Sequence, residues 1–549
     1  MRRRKHILIS CAVIAAVLAA CSSSVSKASP PNPSTAPSST STPRPAACVP
    51  PAGGKVAAAR VPGVASDWTL TSFDGAKIRL HWFPAPNAGR AHPAPTVLMG
   101  PGWGLSGDTD TTSVGLFGSV GIGSLQRAGY NVLTWDPRGF GASTGTVEVD
   151  SASYEGRDVE RMLDWVAAQP GVQLDGPRDP RVGMAGGSYG GGIQLIAAAI
   201  DCRIDAITPM IAWHSLTTSL EKASTPKNGW SGILVSATTG RSVDPHIHSA
   251  YQASITTEII DPADRAWFAS RGPGDLVHRI TVPTLIVQGT VDNLFTLDEG
   301  ITNYRILRAR GVPAAMLWFC GGHGVCLTNP GDTRQVGIAV IAWLNRYVKN
   351  EAKVTTGPRF AFVDQNGRRY TGDDYPLPLG TPLTAAGAGG LSFVAEGGSG
   401  PAHPAATNKD PLAGIAAGIT PARAAHAADL TLPVPAGAVV IGAPQLSLSY
   451  EGTTPAGVRP TRVFAQIVDD STGIVLGNQV TPIDVTLDGR AHQAAIPLET
   501  VVFAAHAGAH LTLQLVATTV AYAQPRLGGS IHFTKIALSL PVARDLAAK

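Results

Sequence analysis

Charge is scarce in this chain of 549 residues: Asp, Glu, Lys and Arg make up 15%, and aromatic residues only 6%. The net charge of +4 resides wholly in Arg2, Arg3, Arg4 and Lys5, beyond which 39 basic residues balance 39 acidic ones. So even a balance gives no electrostatic reason to expect nucleic acid as a partner, and none is expected. Cysteine is sparse too, at six residues. The single histidine between Cys320 and Cys326 lacks the paired spacing of a zinc motif, so neither a metal nor a cofactor is expected. There is no internal repeat, and no hydrophobic span beyond the N-terminus is long enough to cross a membrane.

What is present begins at that N-terminus. The basic run Arg2 to Lys5 precedes an apolar stretch at residues 7–20, too short for a transmembrane helix, and residues 1–20 read as an export signal. Leu18-Ala19-Ala20-Cys21 resembles a bacterial lipobox, which makes Cys21 the expected lipidated first residue of the mature chain and the lipid its membrane attachment. An ordinary signal with a chance cysteine is the alternative. Residues 21–47, rich in Ser, Pro, Thr and Ala, cannot bury apolar surface and read as a tether. The protein is thus expected outside the cytoplasm, anchored to the cell membrane. Of the remaining cysteines, Cys11 leaves with the signal, and Cys48, Cys202, Cys320 and Cys326 face an oxidising compartment. Four cysteines allow three pairings; Cys320 with Cys326 and Cys48 with Cys202 are favoured.

Residues 48–350 alternate apolar strand-like runs with helical stretches, the pattern of an α/β domain with a mostly parallel sheet. A hairpin around Asp74-Gly75 opens it, and buried strands are predicted at 96–100, 131–136, 181–186, 206–211, 284–289 and 314–319. Residues 153–169 and 335–349 carry apolar side chains at helical spacing. The stretch 213–277, rich in Gly, Pro and aromatics, falls between two late strands and reads as a cap. Residues 351–390 read as a linker, and 391–549, with alternating runs such as 445–450 and 531–540, as an all-β sandwich.

The most informative local pattern is Gly186-Gly187-Ser188-Tyr189-Gly190, where a short apolar strand turns at glycine directly into an apolar helix. That is the context of a nucleophile elbow, in which a tight turn lifts the serine hydroxyl clear of the sheet. With 61 glycines, a chance G-x-S-x-G is expected in roughly one such chain of two. Gly141-Ala142-Ser143-Thr144-Gly145 is indeed a second match, but no helix follows it, and Ser143 reads as a loop residue.

A serine hydroxyl is a weak nucleophile and requires a histidine to take its proton and a carboxylate to orient that histidine. Asp292 follows the predicted strand 284–289, and His323 follows 314–319 on the glycine turn Cys320-Gly321-Gly322-His323-Gly324. Both therefore fall at the carboxyl edge of the sheet, in the order Ser, acid, His that an elbow of this kind requires. Asp292 could instead be a turn-forming residue. His214, His246, His248 and His278 lie in or beside the cap, and His214 is the principal competitor for the role of base. The N–H of Tyr189 supplies one oxyanion donor, and the loop Gly100-Pro101-Gly102-Trp103-Gly104 offers the N–H of Trp103 as the second.

These residues resemble the α/β-hydrolases of the peptidase S15 type, which include Xaa-Pro dipeptidyl-peptidases, cocaine esterase and α-amino acid ester hydrolases. The resemblance rests on Asp136-x-Arg138-Gly139-x-Gly141-x-Ser143, on Gly186-x-Ser188-Tyr189-Gly190-Gly191, on Asp292 and His323, and on a sandwich opening near Gly442-Ala-Pro-Gln-Leu. It implies an α/β-hydrolase fold with a cap insertion and a C-terminal jelly-roll-like sandwich, and an acyl-enzyme on Ser188. One departure is visible: where cocaine-esterase-like members carry a tyrosine donor in a Pro-Tyr loop, this chain reads Gly100-Pro101-Gly102-Trp103. Nor does the sequence single out an acidic group of the cap that would hold a peptide amine. The expected activity is that of a serine hydrolase on small acyl esters or amides. A proline-specific exopeptidase is the alternative within the fold, and a non-catalytic envelope binding lipoprotein the alternative outside it.

Overall fold

The computed structural model describes residues 48–51, 64–404, 413–455, 459–523, 526–544 and 546. The export signal, Cys21 and the tether lie outside the described residues. Among the described residues no helix is long and apolar enough to cross a membrane.

The first domain is built on a ten-stranded sheet. In chain order its strands are β1 (Ser66–Thr71), β2 (Lys77–Phe83), β3 (Thr96–Met99), β4 (Asn131–Trp135), β5 (Val182–Gly187), β6 (Ile204–Met210), β7 (Thr284–Gly289), β8 (Ala314–Phe319), β9 (Phe360–Val363) and β10 (Arg369–Gly372). Across the sheet the order is β1-β2-β4-β3-β5-β6-β7-β8-β9-β10. Every pairing from β4 to β9 is parallel, with antiparallel hairpins at the two edges. A parallel sheet has both faces covered, which is why β3, β4, β7 and β8 are buried at every residue and read as unbroken apolar runs. Helices Glu155–Ala167 and Leu297–Ala309 close one face, and Gln335–Tyr347 the other.

The cap between β6 and β7 is mainly helical: Leu216–Leu220, Asn228–Ser236, Pro245–Thr256 and Pro262–Ala269. It stands over the carboxyl end of the sheet, joined to the rest by a cluster that includes Tyr189, Trp213, Trp230 and Phe295.

The C-terminal domain is a sandwich of two four-stranded antiparallel sheets. Strand Gln445–Thr453 shows why it forms: Leu446, Leu448 and Tyr450 point inward while the residues between them are exposed or half-buried, the period-two pattern of a sheet with one wet face. The two domains share apolar core, since Val439, Ile441, Val502 and Ala504 join the cluster that contains Trp318 and Phe360.

The boundary drawn at residue 350 is corrected by this arrangement. Phe360–Val363 pairs in parallel with β8, matching Met316 to Phe360, and β10 folds back on it, so the sheet continues into the stretch read as linker. A four-residue apolar run is too short to declare itself by periodicity; it becomes a strand by pairing and by packing on Trp318. Likewise the sandwich starts at Leu383–Ser392, a Gly/Ala-rich segment that pairs with Ser530–Leu540 at the edge of its sheet. Small residues there mimic a linker in composition.

Candidate active site

β5 ends at Gly187, and Ser188 takes φ 57° and ψ −119°, a conformation that non-glycine residues rarely adopt, before the helix Tyr189–Ile200 begins at once. The turn is held by the Ser188 N–H, which donates to Met210 O across to β6. Its neighbours must be small because backbone lies against backbone. A Cβ at Gly190 would stand 2.1 Å from Gly100 O, and one at Gly191 would stand 2.6 Å from Met210 O.

The hydroxyl so presented meets the other two predicted residues. His323 Nε2 lies 2.8 Å from Ser188 Oγ, and His323 Nδ1 lies 2.8 Å from Asp292 Oδ2. An ionised carboxylate only accepts, so Nδ1 carries the ring proton and Nε2 is left to accept from the serine. Asp292 is fully buried, and its other oxygen, Oδ1, accepts the N–H groups of Leu294 and Phe295. Buried polar oxygens satisfied in this way hold the carboxylate at one angle. The imidazole is packed edge-on against Phe295 and Trp230. Cys320 and Cys326 are joined and bracket the histidine turn, while Cys48 is joined to Cys202.

The two proposed oxyanion donors fare differently in what surrounds them. The N–H of Tyr189 is the first of its helix and has no acceptor within it. Its phenol points away from the site: the hydroxyl donates to Glu155 Oε1 at 3.3 Å. Trp103 sits on the loop after β3, with its indole Nε1 donating to Leu234 O of the cap and its ring edge-on to Phe140 and Tyr189. Both residues line the cavity that opens on Ser188.

Counted together with its solvent-open mouth, the cavity spans about 740 Å³ between the elbow and the cap. Its wall is apolar, with Trp213, Leu216, Leu234, Ile247, Phe268 and Leu294 among the lining residues. Among the described residues that line it there is no Asp, Glu, Lys, Arg or His; the hydroxyl-bearing residues are Ser188, Ser231, Tyr251 and Ser254, together with Tyr189, whose own hydroxyl is turned to Glu155.

The competing candidates are occupied elsewhere. Ser143 Oγ donates to Asp136 O and accepts from Arg79 N, so it closes the loop after β4. His214 pairs with Asn303 and His246 with Asp264. Asp136 and Arg138 of the second motif are structural: Asp136 accepts from Gly107 N and Ala142 N, and Arg138, buried, pairs with Asp158.

Two features escaped the sequence reading. Behind the elbow lie Glu155 and Asp150, both buried; burial pushes the Glu155 carboxyl up to about 7 and Asp150 well above its usual range. Neither carboxylate oxygen of Asp150 has a partner among the described residues. Lys227 of the cap, also buried, donates to Asn293 O and Leu294 O, and Trp230 Nε1 to Asn293 Oδ1, so the cap grips the segment that follows Asp292. No local pattern marks such contacts, because they join residues more than 60 positions apart.

Residues 74–325 match the family described as X-Pro dipeptidyl-peptidase (S15 family). Over 150 residues the chain is 29% identical to a polyketide transferase, grgF, of Penicillium sp, a match spanning 27% of this chain and 45% of that protein. The chain thus spans less than half the length of that curated relative. Among solved structures, a CocE/NonD family hydrolase from Staphylococcus aureus superposes with a TM-score of 0.59 at 15% identity, covering 87% of this chain and 93% of that one. An α-amino acid ester hydrolase does so with a TM-score of 0.57 at 13% identity, covering 87% and 96%. These likenesses span hydrolase and sandwich together and establish the fold, with its α/β-hydrolase sheet and its C-terminal β domain.

Proposed function

We propose that the chain, a serine hydrolase of the α/β-hydrolase fold whose residues 74–325 match the peptidase S15 family, cleaves esters of neutral, apolar acyl groups through an acyl-enzyme. The observation that carries this reading is the cavity wall: an acyl group docked on Ser188 meets Leu, Ile, Trp and Phe side chains and no charge. Burying an unpaired ammonium there costs several kcal/mol, on the order of the penalty for any uncompensated ion, which disfavours a peptide with a free amine.

In this reading Ser188 Oγ attacks the acyl carbon while its proton passes to His323 Nε2. The N–H groups of Tyr189 and Trp103 stabilise the oxyanion, and the tetrahedral intermediate expels the alcohol, which takes the proton from His323. Water, deprotonated in turn by His323, then attacks the acyl-enzyme and releases the acid. Asp292 orients the imidazole and stabilises its cationic form.

The test is kcat/KM on p-nitrophenyl acyl esters of increasing chain length and on Xaa-Pro anilides, with Ser188→Ala as blank. Ester turnover that depends on Ser188 and rises with chain length is expected, with anilides untouched. Preference for the anilides would replace this reading with the exopeptidase. No Ser188-dependent turnover of either would leave the binding lipoprotein.

The protein is further proposed to be exported and held at the membrane by a lipid on Cys21. Cys21→Ala chains should leave the membrane fraction, and equal retention would refute the anchor.

A further inference from the structure

The sandwich contributes two side chains to the site without touching the cavity. Between strands Arg459–Asp469 and Thr481–Leu487 the chain makes a short turn, Leu476–Asn478, in which Gly477 and Asn478 are both left-handed, at φ 62° and 55°. A β-carbon at Gly477 would stand 2.8 Å from Thr290 O, so the turn lies directly on the segment leading to Asp292. Glycine and asparagine are the two residues that take left-handed φ most readily, and here that pair aims Asn478 and Gln479 across the domain boundary. Gln479 Nε2 donates to Asp292 O at 2.8 Å, and Asn478 Nδ2 donates to Val325 O at 2.8 Å. Both side chains are buried, at 5% and 2% exposure.

The two carbonyls belong to the two segments whose relative position matters most. Asp292 O is the main-chain oxygen of the acid, and Val325 is two residues beyond the base. A single turn of the sandwich therefore bridges the acid segment after β7 and the histidine turn after β8, while Lys227 and Trp230 of the cap hold residues 293 and 294 from the opposite side.

We propose that Asn478 and Gln479 are positioning residues that fix the distance between Asp292 and His323, so that the C-terminal sandwich is part of the catalytic apparatus. The proposal rests on the reading in which Ser188, His323 and Asp292 carry out the chemistry. It predicts a separation of effects, because among the described residues none from the sandwich belongs to the cavity wall: loss of either side chain should lower the reactivity of Ser188 and leave acyl binding alone.

The experiment uses the full chain with Gln479→Met, which keeps length but removes the donor, and Asn478→Gly, which removes the donor and tolerates positive φ. Each is compared with wild type in the rate of phosphonylation of Ser188 by a fluorophosphonate, and in kcat and KM on the p-nitrophenyl ester that wild type turns over best. One lost hydrogen bond that holds a reacting group corresponds to about a tenfold fall in rate. The expected result is phosphonylation and kcat down about tenfold for Gln479→Met and less for Asn478→Gly, with KM within about twofold. Folding is verified by circular dichroism, and should Gln479→Met fail to fold, Asn478→Gly carries the comparison alone. Variants that melt at lower temperature yet label and turn over at the wild-type rate would reduce the turn to an interface contact and overturn the proposal. A fall confined to KM would overturn it as well. Wild type that is not labelled at Ser188, judged against Ser188→Ala, would instead overturn the hydrolase reading on which the proposal stands.

Discussion

The two disulfides should separate stability from activity. Cys48 and Cys202 are 154 positions apart, and Cys320 and Cys326 only 6. If a cross-link stabilises by restricting the unfolded chain, the long loop contributes about 5 kcal/mol and the short one about 2 kcal/mol. Position inverts the ranking for catalysis. Cys48 to Cys202 ties the start of the described chain to the far end of the helix that follows Ser188, remote from the cavity. Cys320 to Cys326 closes the turn that carries His323, a turn with glycine at 321, 322 and 324 and little stiffness of its own. Double alanine variants of each pair, compared by thermal melting and by kcat on a p-nitrophenyl ester, test this. Removal of Cys48 and Cys202 should lower Tm more and leave kcat within about twofold; removal of Cys320 and Cys326 should lower Tm less and kcat by about tenfold or more, because a loosely held base loses its alignment. If the short-loop variant retains full kcat, the glycine turn is held by its other contacts alone, and the assignment of this cross-link to the alignment of His323 is refuted.

Three further outcomes follow from the geometry. Tyr189→Phe should keep kcat within about twofold, because the phenol faces Glu155 and only the backbone N–H is available to an oxyanion; a fall of about 10²-fold or more would make the hydroxyl a donor and contradict its orientation. Gly190→Ala would press a methyl to 2.1 Å from Gly100 O, and should lower kcat about 10²-fold or leave the chain insoluble, as judged by ester turnover and yield. Asp298 accepts from Thr500 across the domain boundary, and burial beside Glu499 pushes its carboxyl up to about 7. A carboxyl raised in the folded state imposes no cost below about pH 4 and its full cost above about pH 7, so this group makes stability fall as pH rises through that window. Asp298→Asn should flatten Tm against pH between about 4 and 7 relative to wild type, and an unchanged slope there would refute the raised carboxyl.

The candidate site residues that the sequence brought forward share one property: each is marked by local order. Ser188 announces itself because strand, glycine turn and apolar helix are contiguous, and Asp292 and His323 because each stands in the short loop that follows a buried run of six residues. The sheet was legible up to β8 for the same reason, since strands buried on both faces are continuous apolar runs. It failed at Phe360–Val363, where four residues cannot carry a period, and at Leu383–Ser392, whose alanines and glycines have the composition of a linker and become a strand only by pairing with the distant strand Ser530–Leu540.

The contacts that set the precision of the site belong to the second kind. Lys227, Trp230, Asn478 and Gln479 reach the segments around Asp292 and His323 from the cap and the sandwich, and their hydrogen bonds end on main-chain carbonyls or on the amide of Asn293. A carbonyl oxygen is the same at every residue, so a donor that binds one leaves no signature in the sequence of its partner. The donor itself is an ordinary Asn or Gln in a turn, or a Lys whose burial has no local cause. Such residues become visible only when the domains are assembled. A truncation at the end of the hydrolase sheet would keep Ser188, Asp292 and His323 in sequence while removing the donors to Asp292 O and Val325 O. It would also strip Val439, Ile441, Val502 and Ala504 from the apolar cluster that they share with the sheet. The candidate nucleophile is marked by one short contiguous pattern, but the geometry proposed to activate it draws on the sheet, the cap and the sandwich together.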